Sequence, residues 1–254
     1  MSARHAGIEG LHVARSSPVH ALSARVKLVC VVVFVVAVVA TPPSAVWAFG
    51  VYAALVVVAV SCARLPPSVL VRRMAIELPF VAFALALPFI GVGPRHEVLG
   101  VSMSTAGGWA AWNILAKASL GVAASVVLSW STPVADLLAG LDRLRVPRAL
   151  TVIAGFMVRY LAVVRDELHR LDVARVSRAD DPRWFWQARS VAATLGSVFV
   201  RTYERGERVQ MAMVARGFDG RFPDLGVTKV DRWWPAALWP IGAVAVAGLA
   251  LVST

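Results

Sequence analysis

The sequence predicts an all-helical integral membrane protein, with about five membrane-crossing helices and a set of long cytoplasmic helices. Three observations lead there. The 254 residues are 58 % hydrophobic and only 16 % charged, with a mean hydropathy of +0.69, whereas a soluble domain sits near half apolar and a quarter charged. The apolar residues are also segregated, as in the charge-free run from Leu28 to Ala40. Finally, the excess of Lys and Arg, net charge +11, gathers between the apolar runs, as it does in cytoplasmic loops.

Each crossing is read against the roughly 20 apolar residues needed to span about 30 Å of hydrocarbon. The first covers about residues 25–40 and ends at the tight turn Thr41-Pro42-Pro43; the second returns over 45–62. A short basic loop with Arg64, Arg72 and Arg73 leads to a third over about 75–92, where Pro79 and Pro88 predict kinks. Trp109, Trp112 and Trp130 bracket the fourth, because indole rings favour the two interfaces. The fifth, 233–252, opens on Trp233 and Trp234. The expected organisation is therefore 1–130, an N-terminal arm and four crossings; 131–232, cytoplasmic helices; and 233–254, the last crossing. A cytoplasmic N-terminus puts every Lys and Arg except Arg95 and Lys117 on the inner side. The short arm and short loop carry that orientation, since long domains obey the charge rule weakly.

The charge does not point to nucleic acid, because a membrane protein accumulates the same excess on its inner face. Cys30 and Cys62 stand at the edges of apolar runs and read as small hydrophobes, without a disulfide framework. The five histidines share no ligand spacing within one helix, so no metal site is expected in this chain.

Within 131–232, Thr132 is an N-cap with Pro133 beside it, and Val134, Leu137, Leu138, Leu141 and Leu144 share one helical face. Pro147 starts a longer helix reaching about Arg178; its apolar stretch, about 16 residues containing Arg159, is too short to favour a sixth span. Asp166 and Glu167 belong to a solvated charged face of it. A further long helix covers about 183–216 and ends at Gly217. Both long helices finish on an Arg with small neighbours: Ser177-Arg178-Ala179 and Ala215-Arg216-Gly217. A cation there complements the helix dipole. It also offers five fixed donors to another protein that small neighbours allow to approach.

At these residues the chain resembles the transmembrane T component of energy-coupling factor transporters, including the cobalt-uptake Q branch. Ala215-Arg216-Gly217 matches that family's Ala-Arg-Gly motif fully, and Ser177-Arg178-Ala179 matches in its central Arg. Leu22-Ser23-Ala24-Arg25-Val26-Lys27-Leu28, Ser131-Thr132-Pro133, the run from Leu141 to Pro147 and Val158-Arg159-Tyr160-Leu161 resemble further family segments in the same order. The resemblance implies a coupling subunit without ATPase activity, serving an importer of a vitamin or transition-metal ion in a bacterial cytoplasmic membrane. Its implied partners are two ATP-binding cassette ATPase subunits, which hold ATP and Mg, and a small substrate-binding membrane subunit. Arg178 and Arg216 would seat in the two ATPases. The chain itself carries no Gly-x-x-x-x-Gly-Lys-Ser/Thr phosphate loop, and no catalytic set is readable, so it is not expected to be an enzyme.

Lys117 is the intramembrane charge and hence a candidate functional residue. Glu77 is expected about 10 Å from it in depth, too far for simple pairing. An autonomous permease for a small solute or ion is the alternative, and it would need polar ligands near the midplane.

Overall fold

The computed structural model describes residue 19 and residues 22–90, 94–98, 101–177, 188–218 and 233–253. Nine α-helices follow one another among them: α1 (Ala24–Ala40), α2 (Val46–Cys62), α3 (Pro67–Met74), α4 (Leu78–Ile90), α5 (Thr105–Ser131), α6 (Val134–Arg143), α7 (Arg148–Val176), α8 (Ala188–Ala215) and α9 (Trp233–Val252). A 3-10 turn, Ala75–Glu77, joins α3 to α4. One antiparallel hairpin, β1 (Arg95–Val98) with β2 (Val101–Ser104), pairs Arg95 with Ser104 and Val98 with Val101. The helical reading did not include it. Its sequence signal is brief: two short β-prone runs on either side of Leu99-Gly100.

The chain forms two compact units, with the division falling inside α6 between Gly140 and Leu141. The first holds α1 to α5, most of α6, and α9. Its core joins Phe34, Ala37 and Val38 of α1 to Phe49 and Tyr52 of α2, Ala123 and Ala124 of α5, and Ala243, Ala247 and Ala250 of α9. The three α9 alanines recur at one-turn spacing, so backbones approach closely where water-driven burial is unavailable, as in packing between membrane helices. Phe34 stacks on Trp239 with ring centroids 4.6 Å apart. Several polar groups inside are paired: the Thr41 hydroxyl donates to Ala37 O at 2.8 Å and lies 2.8 Å from the Tyr52 hydroxyl, while Trp239 Nε1 donates to Leu55 O.

The outside of this unit is apolar. Val32, Val36, Phe80, Phe83, Phe89 and Leu249 are all exposed, and along Pro67–Ile90 only Glu77 and Ala84 are buried. A water-soluble fold does not leave such a band uncovered. Among the described residues two helices, Pro67–Ile90 and Thr105–Ser131, are long and apolar enough to cross a membrane, and Val46–Cys62 and Leu238–Val252 are shorter apolar helices. The helix that holds the third expected crossing begins at Pro67, upstream of residue 75, because the basic segment containing Arg72 and Arg73 is itself helical.

Pro79 explains the 3-10 turn. It has no N–H for the carbonyl of Ala75, and the N–H of Leu78 takes that carbonyl instead. Downstream, α4 continues through Pro88, beside which α5 comes closest: a Cβ on Gly107 would lie 2.3 Å from Leu87 O.

Three helices end in the same way. Leu65 N–H donates to Val60 O and Arg64 N–H to Ser61 O; Val146 N–H donates to Leu141 O and Arg145 N–H to Asp142 O; Phe218 N–H donates to Met213 O and Gly217 N–H to Val214 O. These paired six-to-one and five-to-two bonds are Schellman closures, which need a left-handed residue after the cap. Gly217 adopts φ 79° without a Cβ penalty, while Arg64 (φ 51°) and Arg145 (φ 63°) bear that strain.

Candidate functional site

The second unit carries the charge. Its long helices α7 and α8 are tied by Glu167, whose Oε1 accepts from Arg201 Nη1 at 2.8 Å across the helix pair. Its Oε2 accepts from Arg170 Nη2 at 2.9 Å on its own helix. Hydrogen bonding from Arg201, aided by the charges of Arg170 and Arg201, outweighs partial desolvation and holds the Glu167 carboxyl below its ordinary value of 4.5. Glu167 thus bridges the two helices from the solvated charged face that the sequence predicts. Only its i,i+3 relation to Arg170 was visible in the sequence, since Arg201 lies 34 residues on. Tyr160, Val163 and Thr202 line a groove of about 280 Å³ around this bridge, with Arg205 and Arg208 along it.

The sequence-predicted motif at the end of α8 is an exposed tip. Ala215, Arg216 and Gly217 are all exposed, and nothing lies within 4 Å of the position a Gly217 Cβ would take. Arg216 is the C-cap of the Schellman closure described above, so its guanidinium leaves a helix end whose last carbonyls are already satisfied. Small residues and a left-handed glycine make the tip approachable.

At the end of α7, Ser177 caps the helix: its N–H donates to Val173 O and its hydroxyl to Ala174 O at 3.0 Å. Arg178 and Ala179 lie outside the described residues. Along their own helices, Ser177 is about 15 Å beyond Glu167 and Arg216 about 22 Å beyond Arg201.

In the first unit the two lysines near α1 cap one another's helices. Lys27 Nζ donates to Ser131 O at 2.9 Å, the last carbonyl of α5, and to Thr132 Oγ1 at 3.1 Å. Lys117 Nζ, from the middle of α5, donates to Val39 O at 2.8 Å, one of the last carbonyls of α1. Each ammonium therefore meets an orphan carbonyl at the negative end of a neighbouring helix dipole. The sequence marked Lys117 as an intramembrane charge but gave no sign of this pairing, because a backbone carbonyl has no signature of its own.

Glu77 lies elsewhere than expected. Its Oε2 accepts from Ser119 Oγ at 3.0 Å, and Ser119 is only about 3 Å along α5 from Lys117. The expected 10 Å depth gap assumed a crossing that begins near residue 75. With the helix starting at Pro67, Glu77 falls near its middle. Direction rather than depth separates the two charges, since residues two apart point about 200° apart around a helix.

The described residues thus comprise an apolar helical unit with two helices of membrane-spanning length and a charged unit with an exposed arginine tip, which is the build of a helical membrane protein. The family model for cobalt transport protein CbiQ matches residues 15–225, and the chain belongs to that family. Among curated relatives it is 29 % identical over 161 residues to "Cobalt transport protein CbiQ" of Rhodobacter capsulatus, covering 62 % of this chain and 63 % of that protein. It is 24 % identical over 222 residues to "Putative fused cobalt transport protein CbiMQ" of Methanocorpusculum labreanum, covering 82 % and 36 %. With "Nickel permease LarQ" of Lactiplantibacillus plantarum it shares 29 % identity over 110 residues, covering 42 % and 38 %. The matched regions span less than two thirds of each of these relatives. The chain thus belongs to a cobalt transport protein family and carries apolar helices of membrane-spanning length among its described residues.

Proposed function

We propose that the chain is the transmembrane coupling subunit of an ATP-driven, energy-coupling-factor-type importer of a transition-metal ion. The exposed Ala215-Arg216-Gly217 tip carries this reading, being an arginine presented at the end of a long, closed helix with room for a partner's surface. Names of the relatives favour a metal over a vitamin as cargo. In this reading α7 and α8 are cytoplasmic coupling helices, and two ATP-binding cassette subunits, holding ATP and Mg, take Arg216 and Arg178. A small membrane subunit binds the metal. Five helices, α1, α2, the α3–α4 pair, α5 and α9, embed the chain in the bacterial cytoplasmic membrane with its N-terminus inside. Coupling requires that the docked tips make different contacts in the two nucleotide states of the ATPases.

Arg216→Glu tests it. Reversing the charge at the tip should lower recovery of the ATP-binding subunits in affinity co-purification by at least tenfold, and uptake of radioactive cobalt or nickel by cells should fall with it. Full assembly and uptake by the variant would overturn the proposal. Uptake by vesicles that hold the wild-type chain and no ATPase would instead establish the autonomous permease.

A further inference from the structure

We propose that residues 75–77 are a hinge within the Pro67–Ile90 helix, held against α5 by a single latch, the hydrogen bond between Glu77 and Ser119. The inference concerns the apolar unit alone and is independent of which proteins dock at Arg216.

The backbone supplies the hinge. Because Pro79 withholds its N–H, the helix narrows to a 3-10 turn about 15 Å from its Pro67 end. Tighter i to i+3 bonds have poorer geometry, and a stretch of them inside a longer helix bends more readily than its flanks.

The flanks are secured independently. On the α3 side, the Arg73 guanidinium lies over the Trp130 ring, 5.5 Å from its centroid, near the end of α5. On the α4 side, the Gly107 backbone lies against Leu87 O closely enough that no Cβ fits. Between these two fixed points, Glu77 is the joint's polar hold on α5.

That hold is incomplete. Glu77 is only 5 % exposed; Oε2 accepts from Ser119 Oγ, while Oε1 is buried with no hydrogen-bond partner among the described residues. A buried carboxyl using one oxygen of two is under-satisfied, which lowers the cost of leaving its present arrangement relative to a fully bonded group. Ile76, Leu78 and Phe80 around it are exposed, so no packed layer covers the joint's outer side within the unit. Release of the latch therefore lets the joint move off α5 while both flanks stay in place.

The test uses the full chain in lipid nanodiscs, with Cys30→Ser and Cys62→Ser and spin labels at two exposed positions, Ile76 on the joint and Ser125 on α5. Electron paramagnetic resonance should give one narrow distance distribution for the otherwise unchanged protein. Ser119→Ala and Glu77→Ala should each broaden it or shift it to longer distance. Glu77→Gln should leave it narrow, because the amide oxygen still accepts from Ser119. Identical distributions with and without Ser119→Ala would overturn the latch, as would Glu77→Gln broadening as much as Glu77→Ala. Adding Pro79→Ala to Ser119→Ala should narrow the distribution again by restoring a regular helix. If it stays broad, the turn is not the hinge.

Discussion

Single atoms decide how close α4 and α5 come. A methyl group on Gly107 would stand 2.3 Å from the Leu87 carbonyl oxygen and 2.9 Å from its carbon, and neither belongs to a side chain that can rotate away. Gly107→Ala must therefore push α5 off α4 or distort the turn at Pro88, at a cost of about 1–3 kcal/mol by analogy with overpacked cores. Thermal unfolding in detergent should show the loss as a lower midpoint. Gly108→Ala is the internal control, since nothing lies within 4 Å of its added methyl; it should be neutral, or slightly stabilising through the better helix propensity of alanine. Equal effects at the two positions would mean that backbone contact is not what Gly107 provides.

Helix ends were more legible than helix contacts. The sequence placed α1, α2, α7 and α9 within a few residues of their ends, because Thr41, Pro147 and Trp233 are local signals. The Ala-Arg-Gly tip was equally local, and Gly217 proved to be the left-handed residue that its closure requires. The depth of Glu77, the carbonyl partner of Lys117 and the Glu167–Arg201 bridge depend on which helices adjoin, and spacing along one chain does not encode that. The bridge has a pH signature. A hydrogen bond from Arg201 holds the Glu167 carboxyl below 4.5, so its contribution is present above the ordinary carboxylate value and is lost as pH falls through the depressed one. Amide hydrogen exchange in the α7 and α8 segments should stay slow from pH 7 to about pH 5, after correction for intrinsic rates, and rise below pH 4. Glu167→Gln should exchange faster at pH 7 and show no further acid step. A wild-type acid step that persists in this variant would assign it to another carboxyl.

At the scale of the whole chain, the proposed coupling role requires the arginine tip and the ATPases to lie on the same side of the membrane. Basic residues flank α1 on its N-terminal side and recur at Arg64, Arg72 and Arg73, and in the proposed arrangement the inward pull on short basic segments sets both on the cytoplasmic side. In the proposed arrangement the uncharged turn Thr41-Pro42-Pro43-Ser44 emerges outside, and the four crossings that precede α8 return the chain to the inner face. Single cysteines in a background without Cys30 and Cys62 make this measurable. Ser44 and Gln210 are both exposed, one in that turn and the other near the end of α8. In intact spheroplasts a membrane-impermeant maleimide should label Ser44→Cys fully and Gln210→Cys only after lysis. Labelling of Gln210→Cys from outside would put the arginine tip beyond reach of any cytoplasmic ATPase. Labelling of both from outside would mean an even number of crossings between them, which neither Lys117 in the middle of α5 nor the 27-residue length of that helix suggests.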